Sequence, residues 1–336
     1  MKFFLVILLS VSAAVCSCTP SGYVVKGDIK GIDGRDMNLL DQSGHIIATS
    51  EVKDGKFTFS GKIDRPQLTY VNNGIGVRYP IDIPVLLENR RIKVTGDASK
   101  RHIVISGTRA NENMVKYKER RDALAPDDTE AYLDLVREIF DANCDNILGA
   151  MLISNMYSLV SDRELLERCD RLPRELAEDE SVASYREISQ ARIDTEPGCR
   201  FVDLESTAPD GELRRLSDIV ESSRLTMLLF WASWNYSNAD ILPGLMEMCR
   251  RYEGRGLSLF TVSPDTDKGK WKKTAEQFDV HGVNVYGDIE EARRLMKPYG
   301  IDGMPKAVII DNNGNIVAKG QCVEDLEPAI ANILGE

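Results

Sequence analysis

Two asparagines, Asn235 and Asn238, stand three residues apart where an apolar run gives way to a helical pattern. A carboxamide has no sulfur and no proton that ionises near neutral pH. It can therefore donate and accept hydrogen bonds, but it cannot exchange disulfides. The chain has seven cysteines, and five of them lie beyond residue 18. No two of these five are spaced as Cys-x-x-Cys. The spacing predicts hydrogen bonding at this helix start and offers no Cys-x-x-Cys pair elsewhere.

The five downstream cysteines have no partners that the sequence can identify. Cys169 falls on the apolar face of a predicted helix, and we interpret it as a small core residue. Cys144 has the same interpretation, although a pair between Cys144 and Cys169 stays open. Because five is odd, at least one thiol is free or buried unless chains cross-link. The pairing stays open for Cys144, Cys169, Cys199, Cys249 and Cys322.

The amino terminus has the pattern of an export signal. Lys2 precedes an apolar run over residues 3–9, and the small-residue stretch SVSAAVCSC follows over 10–18. The apolar run is shorter than the roughly 20 residues that a membrane-spanning helix needs. We predict a signal peptide over residues 1–17 and a short tether over 18–22.

The end of this segment resembles a bacterial lipobox, which implies lipidation at Cys18. Cys18 fits better than Cys16, because the small Ser17 precedes it whereas the bulky Val15 precedes Cys16. Acyl chains on Cys18 would anchor the chain stably. We expect a location in the cell envelope, on the periplasmic side and at the outer membrane. The alternative is an ordinary soluble secreted protein.

Composition and charge exclude several classes of function. The formal net charge of −11 repels phosphate backbones, so we expect no nucleic-acid partner. Three histidines without a dense His/Cys cluster argue against a transition-metal site. We therefore expect no metal and no cofactor.

The chain divides by pattern into three regions that follow the tether. Residues 23–108 contain short β-rich runs separated by turn signals, and KFTFSGKI alternates with Phe57 and Phe59 on one face. We predict an all-β sandwich there. Residues 109–195 have helical spacing and predict a connector of three or four helices. Residues 196–336 alternate strands with helices, which predicts an α/β domain. The fold class is therefore multidomain α+β.

The connector carries a helix-start signal at Ser161, where Glu164 follows three residues later in a capping box. Leu165, Cys169 and Leu172 share one face of the predicted helix.

The last region resembles the thioredoxin family over residues 197–336. The segment LLFWASWNYSN (228–238) is similar to the family's strand that runs into Cys-x-x-Cys at a helix start. Pro243 falls where thioredoxins have a proline inside that helix. Gly303-Met304-Pro305, just before another strand, resembles the segment that holds the family's cis-proline. The resemblance implies a thioredoxin fold.

Two further segments are similar to the TlpA-like branch of the superfamily, namely TVSPDTDKGKW (261–271) and DNNGNIVAKG (311–320). Residues 23–107 resemble an uncharacterised β-domain that precedes such thioredoxins in envelope lipoproteins. The order of lipobox, β-domain, helices and thioredoxin-like domain agrees with both resemblances.

The departures from the family concern its chemistry. The positions of the two cysteines and the residues between them are occupied by Asn235, Tyr236, Ser237 and Asn238. No catalytic residue is therefore expected. Leu229 stands where some relatives hold a buried acid, and Lys306 follows the presumed cis-proline where small hydroxyl residues are common.

The asparagines have a structural interpretation, because Asn is a good N-cap residue. A functional interpretation concerns the groove beside them. In the family, backbone groups next to the cis-proline pair with an extended peptide. Here the resemblance places Met304 and Pro305 at that position, with Trp234 and Tyr236 as an aromatic wall. Trp231 and Trp271 are expected to be packing residues.

Three functions follow from these patterns. The first is an envelope lipoprotein whose degenerate thioredoxin-like domain binds a peptide or protein partner without disulfide exchange. The second is a thiol–disulfide oxidoreductase that uses non-standard cysteines. The third is an architectural protein that interacts through its β-domain.

Overall fold

The computed structural model describes residues 21–32, 36–74, 79–208, 210–287 and 289–335. The signal peptide and Cys18 lie outside these residues. Within them, no helix is both long enough and apolar enough to cross a membrane. The chain forms two compact units. The first contains the described residues up to Leu152 together with Arg171–Leu176, and the second contains Ile153–Asp170 and the residues from Ala177 onward.

Eight strands in two four-stranded sheets form the amino-terminal β-domain. They are β1 (Tyr23–Lys30), β2 (Met37–Leu40), β3 (Ile46–Ser50), β4 (Lys56–Gly61), β5 (Gln67–Asn72), β6 (Asp82–Leu87), β7 (Arg91–Asp97) and β8 (His102–Ser106). The sheet orders are β4-β1-β7-β8 and β3-β2-β5-β6. Both sheets contribute to one core, so the predicted sandwich is confirmed.

The alternation of the sequence explains this core. Phe57 and Phe59 are buried while their neighbours in β4 are exposed. The turn before β4 places Asp54 and Gly55 at positive φ, as an Asp-Gly turn requires. Strand β6 was not predicted, because Pro84 interrupts its pattern.

The helical region contains six helices, more than the three or four predicted. They are α1 (Arg109–Asp122), α2 (Thr129–Asp141), α3 (Ile147–Met156), α4 (Asp162–Asp170), the single turn α5 (Arg174–Ala177) and α6 (Glu180–Asp194). Helices α1 and α2 belong to the first unit, whereas α4 and α6 belong to the second. The predicted connector therefore contributes to both units.

The start of α4 has one of the two hydrogen bonds of the predicted capping box. The Glu164 N–H donates to Ser161 Oγ over 3.2 Å, and Leu165, Cys169 and Leu172 are buried on one face.

The carboxyl-terminal α/β region follows. Its strands are β9 (Glu205–Thr207), β10 (Leu213–Arg215), β11 (Leu225–Phe230), β12 (Leu257–Ser263), β13 (Val283–Tyr286), β14 (Lys306–Asp311) and β15 (Ile316–Gly320). Its helices are α7 (Leu216–Ser222), α8 (Asn238–Glu253), α9 (Lys268–Gln277), α10 (Ile289–Met296) and α11 (Val323–Leu334). A short hairpin joins β9 to β10, and a five-stranded sheet has the order β13-β12-β11-β14-β15.

The central strand β11 is buried along its whole length, because helices cover both faces of the sheet. It pairs in parallel with β12 and antiparallel with β14. Met227 and Leu229 face a core shared with α8 and α11. Leu228 and Phe230 face the opposite core, to which α7 contributes. This packing fixes where β11 ends and where the next loop begins.

Candidate ligand-binding site beside Pro305

The candidate site begins where β11 ends. Trp231 and Ala232 are fully buried after the strand, and the chain then turns through an exposed loop into α8. The burial of Trp231 confirms it as a packing residue. Trp271 is buried as well and stacks on Tyr286 with ring centroids 4.8 Å apart.

The two asparagines hold this loop through their side chains. Asn235 Nδ2 donates to the Met304 carbonyl oxygen over 2.5 Å, and its Oδ1 accepts from the Ser237 N–H over 2.9 Å. Asn238, which is 3% exposed, donates to the Ala232 carbonyl oxygen over 2.7 Å. Its buried Oδ1 has no hydrogen-bond partner among the described residues. Both side chains therefore hold backbone carbonyl groups.

The predicted N-cap role of the asparagines is wrong in detail. Helix α8 starts at Asn238, its N-cap residue is Ser237, and no side chain caps it. The Asn235 oxygen turns instead to an amide two residues ahead, a local alternative that Asn side chains often adopt. Pro243 lies inside α8, as predicted.

The segment that faces the asparagines contains the predicted cis-proline. The Met304–Pro305 peptide bond is cis. Pro305 is buried and Met304 is half-buried. Met304 therefore contributes surface to the site, whereas Pro305 lies beneath it.

A cavity of about 600 Å³ lies beside Met304. Trp234, at 60% exposure, also lines it, and the remaining wall comes largely from α6, α10 and the segment that follows β12. Apolar side chains that line it are Ile188, Ala292, Met296 and Ile301. Tyr236 is 97% exposed and does not line the cavity. Of the four residues predicted for the groove, the structure places Trp234 and Met304 in one cavity.

A buried carboxylate, Asp265, was missed by the sequence reasoning. It is 2% exposed and accepts hydrogen bonds from the Ser233 N–H, the Ser233 hydroxyl and the Ser263 hydroxyl over 2.8, 2.5 and 2.5 Å. It thereby fixes the loop immediately before Trp234. The only sequence signal is an acid two residues beyond a strand, which does not predict its burial.

A polar cluster of the second unit holds the segment that precedes Met304. The Tyr157 hydroxyl donates to Asp302 over 2.6 Å, Arg192 forms an ion pair with Asp302, and Arg192 Nε donates to the Gly300 carbonyl oxygen over 3.1 Å. Burial raises the pKa of Asp302, but the hydrogen bonds from Tyr157 and Arg192 outweigh it and hold that pKa below its usual value. Helix α6 therefore fixes one wall of the cavity.

The two other departures noted in the sequence lie nearby. Leu229 is fully buried in the apolar core beneath α8. Lys306 is half-buried at the start of β14, opposite Phe230 of β11.

All five cysteines in the described residues are free thiols, so Cys144 and Cys169 do not pair. Burial raises the pKa of Cys169 to about 11 and that of Cys249 to about 12. Cys169 is confirmed as a core residue. None of the five lines the cavity beside Trp234.

Comparison with known families locates two matches. Residues 223–316 match the model of a family described as thioredoxin-like. The carboxyl-terminal region is a thioredoxin-like domain. Residues 23–114 match a domain of unknown function, DUF4369. The predicted resemblances of the last region to thioredoxins and of residues 23–107 to an uncharacterised β-domain are confirmed at the level of these families, and the fold class of β-rich domain, helical middle and α/β domain is confirmed with them.

Sequence comparison also matches part of the chain to individual proteins. The chain is 27% identical over 122 residues to the thiol-disulfide oxidoreductase ResA of Geobacillus thermodenitrificans. The aligned region covers 34% of this chain and 67% of the relative. It is 25% identical over 109 residues to ResA of Bacillus thuringiensis, and that aligned region covers 32% of this chain and 61% of the relative. The chain therefore spans about two thirds of these relatives or less.

The structural comparison matches part of the chain to solved structures. One is the thioredoxin domain of a thiol-disulfide oxidoreductase from Bacteroides vulgatus, with 21% identity, a TM-score of 0.38 and coverage of 41% of this chain and 97% of that one. Another is a thiol:disulfide interchange protein from a Bacteroides species, with 20% identity, a TM-score of 0.39 and coverage of 43% and 93%.

Proposed function

We propose that the thioredoxin-like domain binds an extended peptide or protein segment in the cavity beside Trp234 and Met304, and that it does so without thiol–disulfide exchange. The observation that carries this proposal is the pair of carboxamides at the start of α8, where Asn235 donates to the Met304 carbonyl oxygen. In the thioredoxin-like pattern these two positions are the cysteines.

The chemistry of the carboxamide supports the absence of exchange. Exchange needs a thiolate that attacks sulfur and a second thiol that resolves the mixed disulfide. Asn235 and Asn238 offer neither group. The buried thiols of Cys169 and Cys249 stay protonated at neutral pH, because burial raises their pKa values.

The shape of the cavity supports binding. Its volume of about 600 Å³ lies within the roughly 300–1,000 Å³ of ordinary ligand sites. Its wall is largely apolar, and Trp234 is an exposed aromatic anchor of the kind enriched at binding hot spots. The Met304 carbonyl oxygen already accepts from Asn235, so the proposed pairing with an extended ligand uses the other backbone groups beside Pro305. Tyr236 contributes only where the ligand reaches beyond the cavity.

The proposed setting is the cell envelope. A lipid on Cys18 would hold the chain at the periplasmic face of the outer membrane, and the tether over residues 18–22 would lead into the β-domain. Metabolic labelling with a palmitate analogue tests this anchor. We expect label on the wild-type chain and none on the Cys18→Ser variant.

Tryptophan fluorescence tests the binding proposal directly. The chain has three tryptophans, and Trp231 and Trp271 are buried, so acrylamide quenching reports mainly on Trp234. Peptides selected on the full chain from a random library should protect this fluorescence in a saturable manner. The same peptides should leave the quenching of a Trp234→Phe variant unchanged. Selected peptides that bind without protecting Trp234 would place the ligand elsewhere.

A second candidate function is exchange through other cysteines. It is favoured by the matched relatives, which are named thiol-disulfide oxidoreductases. Insulin reduction by the wild-type chain separates the two functions, since only the second predicts turnover.

A further inference from the structure

The interior of the cavity beside Trp234 continues a hydrophobic core of the thioredoxin-like domain. Met296, Ile301 and Met304 line the cavity, and all three side chains are partly buried against the core that contains Phe230. An apolar ligand group that enters the cavity would extend this core. Its removal from water would therefore favour binding.

The charged side chains that line the cavity are balanced in number. There are two carboxylates and two cations, namely Glu187, Asp302, Arg293 and Lys297. Each has a partner of opposite charge, and the ion pairs are Glu187–Lys297 over 2.7 Å, Arg293–Glu290 over 2.9 Å and Asp302–Arg192. A charged ligand group would lose its water without gaining a new ion partner, which is unfavourable. The cavity therefore complements an uncharged group.

Three of these four charged side chains lie at the rim. The side chains of Glu187 and Lys297 are 54% and 55% exposed, and that of Arg293 is 66% exposed. Ala292, in contrast, is buried. An apolar centre within a polar rim is the arrangement of interfaces in which one buried anchor contributes most of the affinity. We therefore expect the ligand to insert an anchor side chain.

The apolar wall favours an aromatic anchor over an aliphatic one. Met296 and Met304 each contribute a thioether, and sulfur makes favourable contacts with the edges of aromatic rings. Unbranched methionine side chains also adjust to the shape of a ring. Trp234 adds an indole, with which a second ring can pack in an offset or edge-to-face arrangement.

We propose that the ligand segment inserts one uncharged aromatic side chain, that of Phe, Tyr or Trp, into this cavity against Met296, Met304 and Trp234. This ligand chemistry rests on the proposed function, because it specifies the residue that the cavity binds. A volume of about 600 Å³ has room for such a side chain together with part of the backbone that carries it.

Capped single amino acids are the probes for the first test, because they separate the anchor side chain from the rest of a peptide. The full chain is labelled with ¹³C at its methionine methyl groups, and the variants Met296→Leu and Met304→Leu assign the two signals. We expect N-acetylphenylalanine amide to shift both signals in a saturable manner. The capped amides of glutamate and lysine should bind at least about tenfold more weakly. No shift with the phenylalanine probe, or equal binding of a charged probe, would overturn the proposal.

A saturated ring distinguishes an aromatic anchor from a merely apolar one. N-acetylcyclohexylalanine amide has a ring of nearly the same size without π electrons. We expect it to bind at least about threefold more weakly than the phenylalanine probe. Equal or tighter binding would contradict the aromatic assignment.

A variant of the cavity wall locates the bound probe. Met296→Ala should weaken binding of the phenylalanine probe at least about threefold, as read from the Met304 signal. The control is Leu213→Ala, which removes an exposed apolar side chain outside the cavity and should leave the affinity unchanged. Weaker binding in the control, or full affinity in Met296→Ala, would contradict the assignment. The wild-type titrations remain decisive if Met296→Ala does not fold.

Selected peptides separate this ligand chemistry from the proposed function. In a peptide that protects Trp234 from quenching, replacing the aromatic anchor by alanine should weaken binding at least about tenfold. Peptides that protect Trp234 without any aromatic residue would overturn the aromatic anchor and leave the proposed function in place. If no peptide protects Trp234 while the phenylalanine probe still shifts Met296 and Met304, the proposed function fails and the aromatic site stands.

Discussion

The start of α8 is a polar, hydrogen-bonded region, whereas two of the thiols are buried among apolar side chains. At the helix start, Asn235 and Asn238 hold the carbonyl groups of Met304 and Ala232. Cys169 and Cys249 lie in apolar cores, where burial raises their pKa values. The two buried thiols therefore pack in the interior, whereas carboxamides occupy the two positions where the thioredoxin-like pattern has its cysteines.

The difference has a physical consequence for the segment at Met304. A carboxamide N–H donates to the Met304 carbonyl oxygen, whereas a thiolate has no proton to donate and would repel that oxygen. Asn235 thus fixes a backbone group that a working thiol would leave free. We infer that this bond keeps the cavity beside Trp234 in one shape.

The largest expected effect comes from restoring sulfur. The double variant Asn235→Cys, Asn238→Cys should reduce insulin at a rate at least about 100-fold above that of the wild-type chain, because a thiolate at a helix start can attack a disulfide. The matched control is Asn235→Ser, Asn238→Ser. Serine is close to cysteine in size but has no sulfur, so this variant should remain inactive. A folded double-cysteine variant with no activity would show that the site differs by more than its two side chains.

The next effect concerns ligand binding. Trp234→Ala should weaken the binding of a selected peptide at least about tenfold, because it removes an aromatic anchor from the cavity wall. Tyr236→Ala should weaken it less than about threefold, since this side chain lies outside the cavity. Titrations by calorimetry measure both. A larger loss for Tyr236→Ala would move the binding surface onto the exposed loop.

The buried Asn238 side chain should contribute to the free energy of unfolding. Asn238→Ala removes a hydrogen bond to Ala232 and leaves a small void, and we expect it to lower the free energy of unfolding by about 1–2 kcal/mol. Urea unfolding of both proteins gives the value. An unchanged midpoint would mean that the unpaired Oδ1 of Asn238 offsets the bond that its amide makes.

A smaller, pH-dependent effect is expected at Asp302. Asp302→Asn should lower the unfolding free energy by about 1 kcal/mol at neutral pH, a figure reduced because the carboxylate is partly exposed. The folded-state pKa of Asp302 is lowered, so its stabilisation is present above the unfolded pKa and is lost as pH falls through the folded pKa. Thermal melts should therefore converge in acid. A constant difference across pH would contradict this assignment.

The sequence predicted the elements whose side chains alternate or recur clearly. Strand β4 and helix α8 are examples. Strand β13 was missed because it has only four residues, and the short hairpin of β9 and β10 was missed because its three-residue strands carry no period.

Within the site, the resemblance to thioredoxins predicted the positions of Trp234, Met304 and Pro305, because the family pattern fixes their order along the chain. It did not predict Asp265 or the role of Asp302, because their partners lie far away in sequence. The separation of Tyr236 from the cavity depends on how the loop turns before α8, which no local pattern encodes.

Insulin reduction by the wild-type chain tests the central proposal most directly. We expect turnover equal to the uncatalysed reaction, and equal to that of a variant in which Cys144, Cys169, Cys199, Cys249 and Cys322 are all serine. Turnover above background that disappears in the serine variant would contradict the proposal and establish exchange through the remaining thiols.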